Sequence, residues 1–432
     1  MQELQHYWHS IRELARSSVW IYVLEIPLAL ILLTGVLRWW LRDQWSRPYS
    51  TLYKPTVSCI ILCYSEGRDV EKTLTSICEQ IYEGEIELVP VIDGAAVNKT
   101  TLKAVQDFVI DPNIYPKRKL HAIAKWKRGG RVSSLNTGLA LASGEIVFAL
   151  DGDTSFDNTM ISHMVRHFQN PNVQAVAGNL RVRNTWQTPI TAIQALEYIL
   201  SISMARIGLA EWNIINNVSG AFGAFRRSVL IQIGGWDTHT AEDLDLTLRI
   251  KSYYKRHPQW RIPFEPRAIG HTDVPARFRD FLQQRLRWDG DLLFLYMRKH
   301  KLNINPQLMG WPNFLTTVTY GLFVQTILPL IIVLHSTELL FRQSWQELAG
   351  LAATIYGAYL LLATLQYIIA ITLCSEQPQR DLRLMPILFV FPIAMFTIRC
   401  WSAIAMLNEL FRRGHEETSM APWWVISRAN RF

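Results

Sequence analysis

The chain has 432 residues, a formal net charge of +8, 49% hydrophobic and 11% aromatic residues and 16 tryptophans, with a mean hydropathy of +0.08. That is too apolar for an ordinary soluble protein of this charge content and points to a membrane protein with a soluble part. The basic residues are spread along the chain and crowd beside apolar segments, which suits anionic lipid headgroups and argues against nucleic acid as a partner. The five cysteines, Cys59, Cys63, Cys78, Cys374 and Cys400, form no C-x-x-C pair and have no histidine spacing for zinc; they read as reduced thiols in apolar surroundings.

In chain order, residues 1–18 place Leu4, Trp8, Ile11 and Leu14 at helical spacing among polar residues, as in a helix lying on a membrane surface. Residues 19–41 form a first predicted span, closed by Arg38, Trp39, Trp40 and Arg42. Its apolar part is close to the roughly 20 residues that cross a bilayer. A signal peptide is the alternative, but no small-residue cleavage site follows.

From Thr56 the pattern changes to short apolar runs alternating with helical periodicity, as in an α/β domain, and we assign residues 50–300 to it. Strands are predicted over Val57–Leu62 and Leu88–Ile92, with a third at Leu120–Ala124. Helices are predicted over Val70–Ile81 and Leu102–Val109. The basic, glycine-rich stretch from Lys127 to Gly138 enters a short helix, where backbone amides backed by Arg131 could hold phosphate oxygens. It has no Walker spacing.

Glu145 to Asp153 then reads as a strand buried on both faces that stops at Asp151-Gly152-Asp153. Ligands of α/β sheets sit at the carboxyl ends of strands, and two hard oxygen donors there suit a divalent metal, Mg²⁺ or Mn²⁺, gripping a diphosphate. A solvated Asp-Gly turn is the plainer reading of that triplet alone. Two amphipathic stripes follow, Ile190 to Ile207 and Phe278 to Leu286, which could rest among headgroups or be buried in the soluble core. After Met309, residues 311–334, 348–373 and 385–407 each suffice for a span, with a polar break at Ser375–Arg380, and residues 408–432 are left as a tail. With the domain on the side of Arg38 and Arg42, four spans put both termini outside. Arg412 and Arg413 then fall on the wrong side unless a re-entrant or interfacial segment intervenes. Arg399 inside the last span is expected to face a polar interior, such as a polymer path.

Taken in order, Glu66, Asp93, the Gly129-Gly130-Arg131 loop, Asp151-Gly152-Asp153, Ala241-Glu242-Asp243 and Gln284-Arg285-Leu286-Arg287-Trp288 resemble the processive family-2 glycosyltransferases. These synthesise cellulose, chitin, hyaluronan and poly-β-1,6-N-acetylglucosamine. The resemblance covers about residues 56–288, and ordered motifs are far more specific than any one of them. It implies an α/β GT-A-type cytosolic glycosyltransferase domain inserted between transmembrane helices of the inner (plasma) membrane. The implied reaction is inverting transfer from a UDP-sugar, favoured to be UDP-N-acetylglucosamine, onto a growing β-linked polysaccharide that the protein also translocates. Its partners are then the donor, the polymer and the lipid bilayer, with room for a small membrane accessory subunit or export proteins.

By oxygen hardness Asp151 and Asp153 are metal and nucleotide ligands, Asp153 the more direct. By resemblance Glu66 and Asp93 belong to the nucleotide-sugar site, Asp93 beside the uracil, and Arg131 stands where relatives often carry Lys. Asp243, with Glu242, is the catalytic carboxylate, although this chain has Ala241 where relatives have threonine, with Thr240 one step earlier. Both acids could instead simply stabilise a helix start at Asp243. On a helix, Gln284, Arg287 and Trp288 share a face, so that amide and guanidinium reach the pyrophosphate and the indole offers a sugar platform; an interfacial anchor is the plainer reading of the tryptophan. Gly220, in the small-residue stretch Ser219–Arg226, resembles the loop under the acceptor, though a tight turn would look the same. Two other functions remain compatible with the sequence: single transfer to a lipid acceptor, and non-catalytic sensing of nucleotide sugars.

Overall fold

A computed structural model describes residues 25–45, 52–238 and 240–413. The surface helix expected over 1–18, the start of the first span and the tail beyond 413 lie outside the described residues.

Helix α1 (Ile26–Trp45) precedes the domain. Strand β1 (Val57–Cys63) is buried along its whole length and leads to α2 (Val70–Cys78), one turn shorter than its periodicity predicts. Then come β2 (Ile86–Asp93), α3 (Lys99–Asp107), and two short strands, β3 (Arg118–Leu120) and β4 (Ile123–Lys125), where one was expected. Helix α4 (Gly130–Leu141) follows the glycine pair and feeds β5 (Ile146–Asp151). The remaining sheet members are β6 (Ser155–Phe156), β7 (Ala175–Val182), β8 (Phe222–Arg226) and β9 (Phe264–Thr272).

The nine strands run β3-β2-β1-β5-β8-β7-β9-β6, with β4 also on β2. Strand β1 is parallel to both β2 and β5, with Cys63 opposite Ile92 and Leu62 opposite Asp151. Three strand ends therefore stop at one edge and carry Glu66, Asp93 and Asp151 to it. Strand β8 is antiparallel to β5, Leu150 facing Phe222. The stretch read as a loop under the acceptor is thus half loop and half central strand, because its alternating Phe222, Ala224 and the side chains around Gly223 fill the sheet interior.

Between β7 and β8 lies α5 (Pro189–Glu211), interrupted by a π-helical stretch at Ile199–Met204. It carries the first amphipathic stripe and is long and apolar enough to cross a membrane, but two-thirds of its apolar window is buried within the protein. Helix α6 (Glu242–Lys251) follows β8 and starts one residue before its expected point, and α7 (Phe278–Phe294) carries the second stripe. Three further helices, α8 (Trp311–Arg342), α9 (Trp345–Cys374) and α10 (Phe391–Arg412), are long and apolar enough to cross a membrane. The last begins later than residue 385: Pro386 opens a separate 3₁₀ turn at Met385–Phe389, and Pro392 sits in the first turn of α10, where its missing N–H costs no helical hydrogen bond.

Helix α1 packs on α5 with no side chain between them at one point: a Cβ on Gly35 would lie 2.3 Å from the Gly208 carbonyl oxygen, and one on Gly208 2.4 Å from that of Leu32. Arg38 and Arg42 reach Glu211 at 3.2 and 2.9 Å. Both cysteine expectations hold for the described chain: all five are free, four buried and Cys400 half-buried.

Candidate active site

The sheet edge and α6 bring most of the expected residues together. At the end of β2, Asp93 accepts hydrogen bonds from Lys125 Nζ (2.9 Å), the Gly129 amide (2.8 Å) and the Gly130 amide (2.9 Å). This corrects one expectation. The glycine-loop amides are engaged by Asp93 instead of standing free as a phosphate cradle, because the end of β2 projects a carboxylate into the same turn.

Arg131, one residue further, bridges Asp151 and Glu242. Burial opposes its charge, but the two carboxylates outweigh this and hold it firmly protonated. Glu242 is only 3% exposed. Burial raises its carboxyl above the ordinary range, against the pull of Arg131. In this geometry the carboxylate expected to act with Asp243 is ion-paired with Arg131.

Below the Asp151-Gly152-Asp153 turn, Glu66 has a buried Oε2 with no hydrogen-bond partner. Burial, reinforced by the charges of Asp153 and Asp151, pushes its carboxyl up to about 7. Asp153 is raised by the same two causes, burial and then the neighbouring Asp151. The turn thus carries more carboxylate than its protein neighbours neutralise, which fits a divalent cation. Among the described residues no three His, Cys, Asp or Glu side chains form a group that could hold a metal by themselves.

Asp243 sits in the first turn of α6. Its Oδ1 accepts from the Leu244 amide (2.7 Å) and its Oδ2 from Asn217 Nδ2 (2.9 Å) and the Gly220 amide (3.1 Å). The helix starts from Ala241 in a left-handed conformation, φ +41°, an uncommon setting for a residue with a side chain and typical of functional sites. Gly220 lies close under the ion pair: a Cβ there would lie 2.6 Å from Glu242 Oε1 and 3.1 Å from Arg131 Nη2. Thr240 is buried. Helix α6 is pinned from behind by Asp245, fully buried and bound to His300 (2.8 Å), Lys299 (2.8 Å) and Arg249 (2.9 Å).

On α7, Gln284, Arg287 and Trp288 face one cavity with Asp243, Asp151 and Asp153. Gln284 Oε1 is buried without a partner, and Trp288 is 38% exposed. Arg285, which sequence reasoning passed over, lies 5.2 Å from the Trp288 ring and pairs with Glu197. The cavity, of about 1630 Å³, continues from these residues between α1, α8, α9 and α10, past Arg399 and Tyr320 to Leu339 and Leu348. Arg399 Nη1 donates to the Val324 carbonyl at 2.9 Å. Arg206, also on this wall, escaped the sequence reading although a lone cation in the apolar stripe of α5 was its signal; Asn217 had none.

Residues 58–234 match the profile of Glycosyl transferase family 2. Over 237 residues the chain is 31% identical to a poly-beta-1,6-N-acetyl-D-glucosamine synthase of Staphylococcus epidermidis (54% of this chain, 53% of that protein). It is 29% identical over 238 residues to the protein of the same name from Staphylococcus aureus strain COL, with the same coverage. The chain thus spans about half the length of the curated relatives it matches. In structure it resembles mannosyltransferase PcManGT from Pyrobaculum calidifontis, solved with GDP-Man and Mn2+, with a TM-score of 0.54 and 20% identity over 89% of this chain and 99% of that one. The strand order, the carboxylate-bearing sheet edge and the profile match agree: residues 58–234 are a family-2 glycosyltransferase domain built on the GT-A fold.

Proposed function

We propose that the protein is a membrane-embedded inverting glycosyltransferase that polymerises UDP-N-acetylglucosamine into a β-linked polysaccharide and passes the product between its own helices. The observation that carries this reading is the single cavity lined both by Asp243 and Trp288 and by residues of the helical region. A channel that begins at the acceptor position lets a chain advance by one sugar and stay bound. The synthases matched by sequence favour N-acetylglucosamine as the sugar.

Asp243 takes the proton of the attacking hydroxyl, its carboxylate oriented by three N–H donors. Asp153 and Asp151 would hold a divalent metal, Mg²⁺ or Mn²⁺, whose positive charge would stabilise a leaving diphosphate. Gln284 and Arg287 face the same space and complete the grip on that group. Trp288 presents an apolar ring to the acceptor sugar.

The membrane arrangement follows the same logic, with the domain in the cytoplasm. Asp381, just past α9, is ion-paired with Arg181 of the sheet, and Glu409 at the far end of α10 with Arg298. Between them the Phe389 carbonyl accepts from Tyr356, about five helical turns up α9 from Cys374. Residues 378–412 therefore enter and return on the domain side, which brings Arg412 and Arg413 to the cytoplasm with Arg380. An Arg413→Cys variant should react with a membrane-impermeant maleimide only in inverted vesicles; labelling of right-side-out vesicles overturns the topology.

The decisive experiment incubates purified protein with Mg²⁺ or Mn²⁺ and a panel of radiolabelled UDP-sugars, and sizes the product before and after specific glycosidases. High-mass, glycosidase-sensitive product from UDP-N-acetylglucosamine is expected. The aliphatic lining of the deep cavity, Leu339, Leu348, Ile355 and Ile393, favours a second reading, transfer of one sugar to a lipid. Label extracted wholly into organic solvent would establish that in place of polymerisation.

A further inference from the structure

We propose that Arg206 and Asn217 form a two-link relay that fixes the orientation of Asp243 and donates a hydrogen bond to an oxygen of the acceptor sugar. The inference rests on the reading of Asp243 as the base. A base on a surface turn must aim one oxygen at the acceptor hydroxyl, yet a carboxylate rotates readily unless its oxygens are held. Asn217 Nδ2 supplies one of the holding bonds, at 2.9 Å. An amide could equally present its oxygen, which would repel the carboxylate. Arg206 removes that choice: its Nη2 donates to Asn217 Oδ1 at 3.0 Å, and a guanidinium can only donate.

The second half of the inference comes from what Arg206 has left over. Its Nη1 is buried and has no hydrogen-bond partner among the described residues, while Arg206, Asn217 and Asp243 line the same cavity. A buried donor left unmade is costly, and the cost disappears when a ligand oxygen arrives. The oxygen within reach of a group two hydrogen bonds from the base belongs to the acceptor, a hydroxyl or amide carbonyl of the terminal sugar or the next. Arg206 also follows the π-helical stretch Ile199–Met204, the kind of widened turn that re-aims side chains at functional sites.

Asn217→Ala should lower kcat by roughly 10- to 100-fold, the worth of one hydrogen bond to a charged group, with metal-dependent UDP affinity unchanged in calorimetry. Losing a donor to the ionised form raises the carboxylate's pKa, so the acid limb of the kcat/KM profile should move to higher pH; a merely structural role would not shift it. Arg206→Leu should raise KM for an added N-acetylglucosamine oligosaccharide by roughly tenfold, again with UDP binding retained. If Asp243→Asn is inactive while Asn217→Ala and Arg206→Leu keep wild-type rate, pH profile and acceptor KM, the relay is wrong. Should Asp243→Asn retain transfer, the base assignment falls instead, and the relay with it. If Asn217→Ala fails to bind nucleotide, Arg206→Leu decides alone, since Arg206 reaches Asp243 only through Asn217.

Discussion

The two sides of the site are built differently. On the donor side Asp93, Lys125, the glycine-loop amides, Arg131, Asp151 and Glu242 bond one another, while Glu66 under the Asp151-Gly152-Asp153 turn and Gln284 on α7 each keep an unpaired oxygen. On the acceptor side Arg206 Nη1 is buried and unpaired, beside a half-exposed indole and a long cavity. In the proposed polymerisation a donor nucleotide presents the same shape at every cycle, so a pre-formed frame is readily reused. A growing chain would present a new ring each time, and a loosely committed donor on an apolar platform tolerates that.

The sharpest way to break this comparison is at its border. Asp243→Asn keeps shape while removing the proton acceptor, so transfer should fall by about 10² to 10⁴ with UDP affinity intact; loss of nucleotide binding would show that the two sides are not separable. A smaller effect on rate but a large one on stability is expected of Asp245→Ala. Although burial works the other way, bonding to His300 and the charges of Arg249 and Lys299 hold the Asp245 carboxyl well below its usual range. The sign follows: the stabilisation is complete above the unfolded carboxyl's pKa near 4 and is lost as pH falls through the depressed folded value. Removing the side chain strands buried cations and should cost about 3 to 5 kcal/mol, read as a lowered thermal midpoint at neutral pH; an unchanged midpoint rejects the pinning role. Trp288→Ala should act last and least on chemistry. It should give less and shorter product with donor binding retained, whereas full-length polymer at the normal rate would make the indole a bystander.

Much of the donor side was legible in the sequence, because strands buried on both faces are continuous apolar runs and their ends announce themselves with Glu66, Asp93 and Asp151. The direction in which the Gly129 and Gly130 amides point was not legible, since it depends on Asp93 arriving from a strand some forty residues earlier. Strand β8 was hidden by small residues that fit a turn as well as a crowded sheet. The start of α10 slipped because hydropathy ignores Pro386 and Pro392. Asn217 was invisible for a deeper reason: its meaning lies in Arg206 and Asp243, on two different helices, and no periodicity links them.

The glycine-on-glycine contact of α1 with α5 bears on whether this protein has detachable parts. Helix α1 covers Glu211, whose side chain is 4% exposed and held by Arg38 and Arg42, and its own Leu28, Ala29 and Leu32 form part of the cavity wall. A catalytic fragment that begins after α1 would bare a groove shaped for backbone and strand a carboxylate with no cation. Helix α1 is therefore no appendage to a finished domain but a piece of that domain's wall.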